Sequence, residues 1–160
     1  MLKVITVIVL SLQLALAAVA PPEIWATPIP DFDSRHSRDY QLPANEYGAG
    51  HRGIDLEVEP NEKIRAPFDG VISFVGQVAN RRLITLHSLT GYKASFEPIC
   101  SDLVEGEFVR EQEVLGWACA AAPDYQWHCQ NCVHFSVRSE AGYLNPLLFI
   151  GQLWPSVLIS

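Results

Sequence analysis

The sequence predicts a single all-β domain, an antiparallel β-sandwich or open barrel. From about residue 47 onward, short apolar runs broken by Gly, Pro and Asn follow one another, and no segment shows sustained helical periodicity. A chain of 160 residues is long enough for one domain with a hydrophobic core. We expect strands at residues 71–75, 83–87, 94–99, 114–119 and 133–138, with a turn between two strand pieces at 104–109.

Residues 1–20 are predicted to be a secretory signal peptide. A single charge, Lys3, precedes an apolar stretch at residues 4–16, and small residues ending in an Ala-x-Ala pattern follow. Cleavage is expected after Ala17, because a cut after Ala20 would place Pro21 next to the scissile bond. The apolar stretch is too short for a comfortable membrane span. We therefore expect an exported protein with no stable membrane span after cleavage, and an uncleaved anchor is the alternative.

The remaining chain divides by composition. Residues 21–43 are rich in Pro, Asp and Ser and are predicted to be a linker followed by an irregular arm that could pack on the domain. The domain itself is predicted at residues 44–160. The formal net charge of -7 argues against nucleic-acid binding through a basic surface and fits a soluble extracytoplasmic protein.

The four cysteines are Cys100, Cys119, Cys129 and Cys132. An even number in a small exported domain indicates two disulfides, with three pairings open, whereas four cysteines could instead hold zinc. An oxidising compartment favours disulfides. We predict a Cys100–Cys119 bridge, because each residue ends a predicted strand and the turn at 104–109 can bring them together, and a Cys129–Cys132 bridge. Cys132 could act as a nucleophile only as a free thiolate.

The segment 48–56, Gly-Ala-Gly-His-Arg-Gly-Ile-Asp-Leu, places His51 and Asp55 four residues apart. A nitrogen and an oxygen donor are a plausible ligand pair for Zn²⁺. In a straight strand their Cα atoms would lie roughly 13 Å apart, so the chain must bend between them. We expect Gly50 and Gly53 to permit that bend. The alternative is a surface turn in which Asp55 accepts from backbone N–H groups.

The segment 132–138, Cys-Val-His-Phe-Ser-Val-Arg, predicts a strand with one polar face. Alternation puts Cys132, His134 and Ser136 on one side and the apolar residues between them on the other. His134 could therefore be a metal ligand, and a half-exposed strand histidine is the alternative.

Five segments occur in the order of a known peptidase family. Residues 50–55 resemble its His-x-x-x-Asp zinc motif, and residues 66–72, Ala-Pro-Phe-Asp-Gly-Val-Ile, are similar to its Ala-x-x-x-Gly-x-Val strand. The other matches are its hairpin pattern at 104–116, the end of its His-x-His strand at 133–138 and its closing Asn-Pro at 145–147. The chain thus resembles the lysostaphin (LytM) type of zinc metallopeptidase, whose bacterial members act on peptidoglycan peptides.

This resemblance implies a zinc site made of His51, Asp55 and His134. The family also places two further histidines around the reacting carbonyl, and here those positions hold Pro98 and Cys132. A short secreted branch of the family looks similar at both positions. The two candidates for a replacement base are Glu97, beside the lost histidine, and His128, in a predicted loop near the metal. Strict alternation would turn Glu97 away from the site unless Pro98 bends the backbone.

Two functions follow from this resemblance. The first is a secreted zinc metalloendopeptidase of the cell wall, in which a zinc-activated water attacks a carbonyl of a peptidoglycan peptide. The second is a non-catalytic domain that keeps zinc for structure and binds the cell wall or regulates another cell-wall hydrolase. The intact ligand set favours the enzyme, and the loss of both histidines favours the non-catalytic domain.

Overall fold

The computed structural model describes residues 23–45, 48–119 and 131–152. The predicted signal peptide, His128 and Cys129 lie outside these residues. Within the described ranges, no helix has the length and apolar composition needed to cross a membrane.

Strands dominate the described part of the chain. In chain order its elements are α1 (Phe32–Arg35), β1 (His36–Arg38), β2 (Ile54–Glu57), β3 (Lys63–Arg65), β4 (Gly70–Val78), β5 (Arg81–Ser88), β6 (Lys93–Glu97), β7 (Ile99–Cys100), β8 (Phe108–Val109), β9 (Val114–Ala118), β10 (Cys132–Ser139), β11 (Gly142–Leu144) and a 3₁₀ helix (Pro146–Leu148). The five predicted strand regions are confirmed. The region at 94–99 is divided into β6 and β7 at Pro98, whose nitrogen has no hydrogen to donate to a ladder.

The strands form two open antiparallel sheets. Seven strands follow the order β1-β2-β10-β6-β5-β4-β8, with β11 added to β10, and a smaller sheet has the order β3-β9-β7. The predicted all-β antiparallel fold is therefore confirmed. A disulfide joins Cys100 in β7 to Cys119 just after β9, with 5.6 Å between their Cα atoms, as predicted.

The core lies against one face of the large sheet. An apolar row crosses four strands through the register partners Ile54, Phe135, Phe96 and Ile84, all fully buried. The rings of Phe96 and Phe135 stack with 4.7 Å between their centroids. Because side chains alternate along a strand, this apolar row fixes which neighbouring residues point to the opposite face.

The predicted arm contacts this core. Trp25, Ile29 and Phe32 are buried. The ring of Trp25 stacks on Phe149 at 4.2 Å, and its backbone N–H donates to the Phe149 carbonyl at 2.7 Å. Further along the arm, β1 pairs with β2, which carries Asp55. The domain boundary at residue 44 stays a prediction, but residues before it help to position the site.

Candidate metal centre

Three strands bring the candidate residues together. In the register of the large sheet, Asp55 of β2 lies opposite His134 of β10, and His134 lies opposite Glu97 of β6. Cross-strand partners share a face and have Cβ atoms about 4.5–5.5 Å apart. His51 precedes β2 and is held by a two-way backbone bridge with Gln41, with both N···O distances at 2.9 Å.

The three predicted ligands converge on one point. Asp55 Oδ1 lies 3.0 Å from His51 Nε2 and 2.8 Å from His134 Nδ1, and the two imidazole nitrogens are 3.1 Å apart. Asp55 is fully buried and His51 is nearly so. The predicted bend between His51 and Asp55 is therefore present.

The arm fixes the ring orientation of His51. Its Nδ1 lies 2.7 Å from the backbone oxygen of Asp39. A carbonyl oxygen only accepts hydrogen bonds, so Nδ1 carries the hydrogen and donates it. In the neutral ring, Nε2 then presents its lone pair to the oxygen of Asp55. A backbone carbonyl is one of the usual partners of a metal-binding histidine in this role.

The donor set fits a zinc ion. Ligand atoms at 2.0–2.1 Å from a tetrahedral zinc would lie roughly 3.3–3.4 Å from one another, and the observed separations of 2.8–3.1 Å are only a few tenths of an ångström shorter. A lone pair of His51 and a carboxylate oxygen repel at this distance unless a proton or a cation lies between them. Two imidazoles and one carboxylate are an ordinary zinc ligand set.

The glycines of the first motif act differently from our expectation. The glycines with positive φ are at 91, 106, 142 and 151 in the described residues, so neither Gly50 nor Gly53 supplies an unusual backbone conformation. Both instead allow close approach. A Cβ on Gly53 would lie 2.7 Å from His134 Nε2, and one on Gly50 would lie 2.7 Å from the Gln41 carbonyl oxygen. The motif therefore leaves room for the second histidine.

Glu97 faces the site, contrary to the expectation from strict alternation. That expectation placed the site on the Pro98 side of the strand, but the register puts Glu97 directly opposite His134. Glu97, His51 and His134 line the same open cavity of about 520 Å³. Glu97 Oε1 accepts a hydrogen bond from Arg81 Nη1 at 2.8 Å, which orients the carboxylate.

The two positions that lack a histidine lie next to a second cavity. Pro98 and Cys132 both line this cavity, which has a volume of about 320 Å³. Cys132 is buried and disulfide-bonded, so it is not a free thiol. The predicted partner Cys129 and the candidate base His128 lie outside the described residues.

Sequence reasoning missed the arginines of the first cavity. Its lining includes Arg38, Arg52, Arg81 and Arg138. Alternation along β10 could have found Arg138, which lies two residues beyond Ser136 on the same face. The others come from separate segments whose proximity depends on strand order.

Comparisons with known proteins agree with the fold and its motifs. Residues 49–146 match the model of peptidase family M23, which is typically zinc-dependent. An uncharacterized protein of Mycobacterium tuberculosis is 28% identical over 114 residues, 69% of this chain and 45% of that protein, so the chain spans about half the length of the curated relatives it matches.

Two solved structures show the same fold at low identity. A chain of the SpoIIQ–SpoIIIAH pore-forming complex is 18% identical with a TM-score of 0.67, covering 81% of this chain and 92% of that one. A zinc-containing peptidase from Vibrio cholerae is 16% identical with a TM-score of 0.57, covering 74% and 37%. Since the family model covers more than half of the sequence, this chain belongs to peptidase family M23.

Proposed function

We propose that this chain is a secreted zinc metalloendopeptidase that hydrolyses peptide bonds of peptidoglycan. The observation that carries the proposal is the convergence of His51, Asp55 and His134, with 2.8–3.1 Å between their donor atoms, beside an open cavity. Members of the family are usually found at the cell wall or outside the cytoplasm, which agrees with the predicted signal peptide.

His51, Asp55 and His134 would hold the metal through one nitrogen, one oxygen and a second nitrogen. A bound Zn²⁺ supplies Lewis acidity, which polarises a carbonyl and lowers the pKa of a coordinated water. The chain's own residues fix these donors: the Asp39 carbonyl orients His51, and the strand register aligns Asp55 with His134.

Glu97 is the proposed proton acceptor. Its Oε1 is held by Arg81, and it lies beside His134 in the same cavity. We propose that Oε2 receives a proton from the attacking water and delivers it to the leaving amine. His128 remains the second candidate base.

A non-catalytic role is the second candidate function. The positions where the family resemblance implies two further histidines hold Pro98 and a buried, disulfide-bonded Cys132. One structural neighbour is part of the SpoIIQ–SpoIIIAH pore-forming complex. In this alternative the domain keeps zinc for structure and binds the cell wall or regulates another cell-wall hydrolase.

Zinc content and peptidoglycan hydrolysis test the proposal together. The purified protein should hold about one zinc ion, and His134→Ala should lose most of it because one of three ligands is removed. His87→Ala is a matched control, since His87 lies on β5 and is not one of the three convergent donors. Undiminished zinc in His134→Ala would mean that the ligands are misassigned.

Hydrolysis separates the two candidate functions. The wild type should release peptides from purified peptidoglycan, and His51→Ala should abolish that release. A wild type that holds zinc but releases nothing would support the non-catalytic domain instead.

A further inference from the structure

Hydroxyl groups line the large cavity next to the candidate metal centre. Thr85, Ser95 and Ser136 are register partners across β5, β6 and β10, and all three line the cavity. Thr85 Oγ1 and Ser95 Oγ share a hydrogen bond at 2.9 Å. Ser136 is half-buried, and within the described residues its hydroxyl has no hydrogen-bond partner. We call these three side chains the hydroxyl row, and each hydroxyl can both donate and accept.

The backbone beneath the hydroxyl row is already paired within the sheet. β5 lies between β4 and β6, β6 lies between β5 and β10, and β10 pairs with β6 on one side and with β2 and β11 on the other. Backbone N–H and C=O groups of inner strands bond to the neighbouring strands. A ligand on this face therefore meets side chains, and it cannot bind here by adding a strand to the sheet.

Tyr143 adds an aromatic surface to the same cavity. It is 40% exposed and lies on β11, whose backbone is tied to the arm by a hydrogen bond of 3.0 Å from the Tyr40 hydroxyl to the Tyr143 carbonyl. The guanidinium carbon of Arg52 lies 6.0 Å from the ring centre, and the exposed part of the residue remains open to a ligand. Within the described residues, the phenol oxygen has no hydrogen-bond partner.

Hydroxyl groups beside an aromatic ring complement a sugar ring. The hydroxyls of a sugar donate and accept in the same way as those of serine and threonine. Its C–H groups can pack on the negative face of an aromatic ring. Arg138, the register partner of Tyr143, also lines the cavity and carries donors for sugar oxygens. A peptide offers comparable hydroxyls only where it contains Ser or Thr.

We propose that the hydroxyl row and Tyr143 form a subsite for a sugar ring that is covalently linked to the peptide substrate. This inference rests on the proposed function and specifies its substrate class. Ser136 follows His134 by two residues, and the register partner of Tyr143 follows it by four, which corresponds to roughly 7 and 13 Å along β10. An extended peptide spans this distance with about two to four residues, so the cut bond lies that far from the sugar.

Peptide binding tests the subsite without relying on catalysis. The probes are muramyl tetrapeptide and the matched N-lactoyl tetrapeptide, which has the same peptide and the same carboxylates but no sugar. Calorimetry measures their binding to the full chain after treatment with a chelator, so that hydrolysis does not interfere. We expect the sugar-bearing peptide to bind about tenfold more tightly, because it gains a ring contact and hydrogen bonds.

Substitutions assign this preference to the named side chains. Tyr143→Ala should remove most of the difference between the two probes, and Tyr143→Phe should keep most of it because the ring is retained. Ser136→Ala should reduce the difference by removing one hydroxyl. Phe108→Ala is the matched control, because Phe108 is an aromatic residue that is 52% exposed and lies outside the cavity lining. It should leave the difference unchanged.

Three outcomes would overturn the subsite: equal affinity for the two probes, no measurable binding of the muramyl peptide, or a sugar preference that survives both Tyr143→Ala and Ser136→Ala. The proposed metal site fails separately, through undiminished zinc in His134→Ala. A sugar preference in a protein that releases nothing from peptidoglycan would keep the subsite and assign it to the non-catalytic domain.

Discussion

The two faces of the large sheet differ although they are built from the same strands. One row crosses the sheet through Ile54, Phe135, Phe96 and Ile84, all fully buried. The next row, one residue along the central strands, runs through Asp55, His134 and Glu97 and lines or underlies the cavity. A shift of one residue in any of these strands would move that strand's side chains from one row to the other.

This difference shows how the site acquires its geometry. The stacked rings of Phe96 and Phe135 oppose slippage between β6 and β10, because misregistered strands would bury polar groups. The polar residues on the other face are held at fixed positions by this packing, although their side chains are not part of the core. We therefore expect substitutions in the apolar row to change stability and substitutions in the polar row to change chemistry.

The largest effect should come from the polar row. Glu97→Gln keeps the size of the side chain and can still accept from Arg81, but it removes the proposed base. We expect the rate of peptidoglycan hydrolysis to fall about 10²–10⁴-fold, with the zinc content and the unfolding free energy nearly unchanged. A Glu97→Gln protein of full activity would transfer the role of base to His128 or to another group.

The apolar row should give the next largest effect. Phe135→Ala removes a fully buried ring that stacks on Phe96, and it should lower the unfolding free energy by about 3–5 kcal/mol. Urea denaturation measures this loss. Ser136→Ala, the next residue on the opposite face, is the matched control and should change stability by only about 0.5 kcal/mol. Similar losses in both variants would remove the distinction between the two faces.

Gly53 tests how closely the polar row is fitted. An added Cβ would clash with the backbone oxygen of Phe135 and would lie 2.7 Å from His134 Nε2, so Gly53→Ala should displace β10 together with that imidazole. We expect zinc affinity to fall about 10–100-fold, comparable with the loss of an outer partner of a ligand, as measured by competition with a chelating dye. Gly76→Ala is the control, because its added Cβ would lie 3.3 Å or more from its neighbours. Unchanged zinc affinity in Gly53→Ala would show that β10 and the His134 ring can shift without loss of metal binding.

The smallest effect concerns charges away from both faces. Arg35 donates two hydrogen bonds to Glu62, at 2.7 and 2.6 Å, and this pairing lowers the pKa of Glu62 below its usual 4.5. Folding lowers the pKa of this carboxyl, so the carboxyl stabilises the fold fully when the pH is above its pKa in the unfolded chain. That stabilisation is lost as the pH falls through its lower pKa in the folded protein. Arg35→Gln should therefore lower the free energy of unfolding by about 1 kcal/mol near pH 6.

This cost should shrink towards zero as the pH falls below 4.5, and denaturant titrations at several pH values measure it. Arg110→Gln is the control, because the exposed pair of Arg110 and Glu113 is longer, at 3.7 Å. A cost of Arg35→Gln that does not depend on pH would assign the effect to packing rather than to charge.

The sequence predicted the strands and the convergence of His51, Asp55 and His134 better than the orientation of Glu97 or the arginine-lined cavity. Period-two alternation and ordered motifs are local signals, so the strand at 133–138 and the motif at 50–55 were visible directly. The side that Glu97 faces depends on the pairing of β6 with β10, which is a long-range property. Arg38, Arg52 and Arg81 line one cavity only because β1, β2, which follows Arg52, and β5 occupy particular places in the sheet order.

The hydrogen bond from His51 to the Asp39 carbonyl would link metal binding at the candidate site to the docking of the arm. Asp39 precedes residue 44, so a fragment that begins at that predicted boundary would keep all three candidate ligands but lose the acceptor that orients one of them. By thermodynamic reciprocity, a metal that binds better when the arm is docked must also hold the arm more firmly. Zinc should therefore protect the peptide bonds around residue 39 from proteases. Cleavage of the arm would then measure whether zinc is bound.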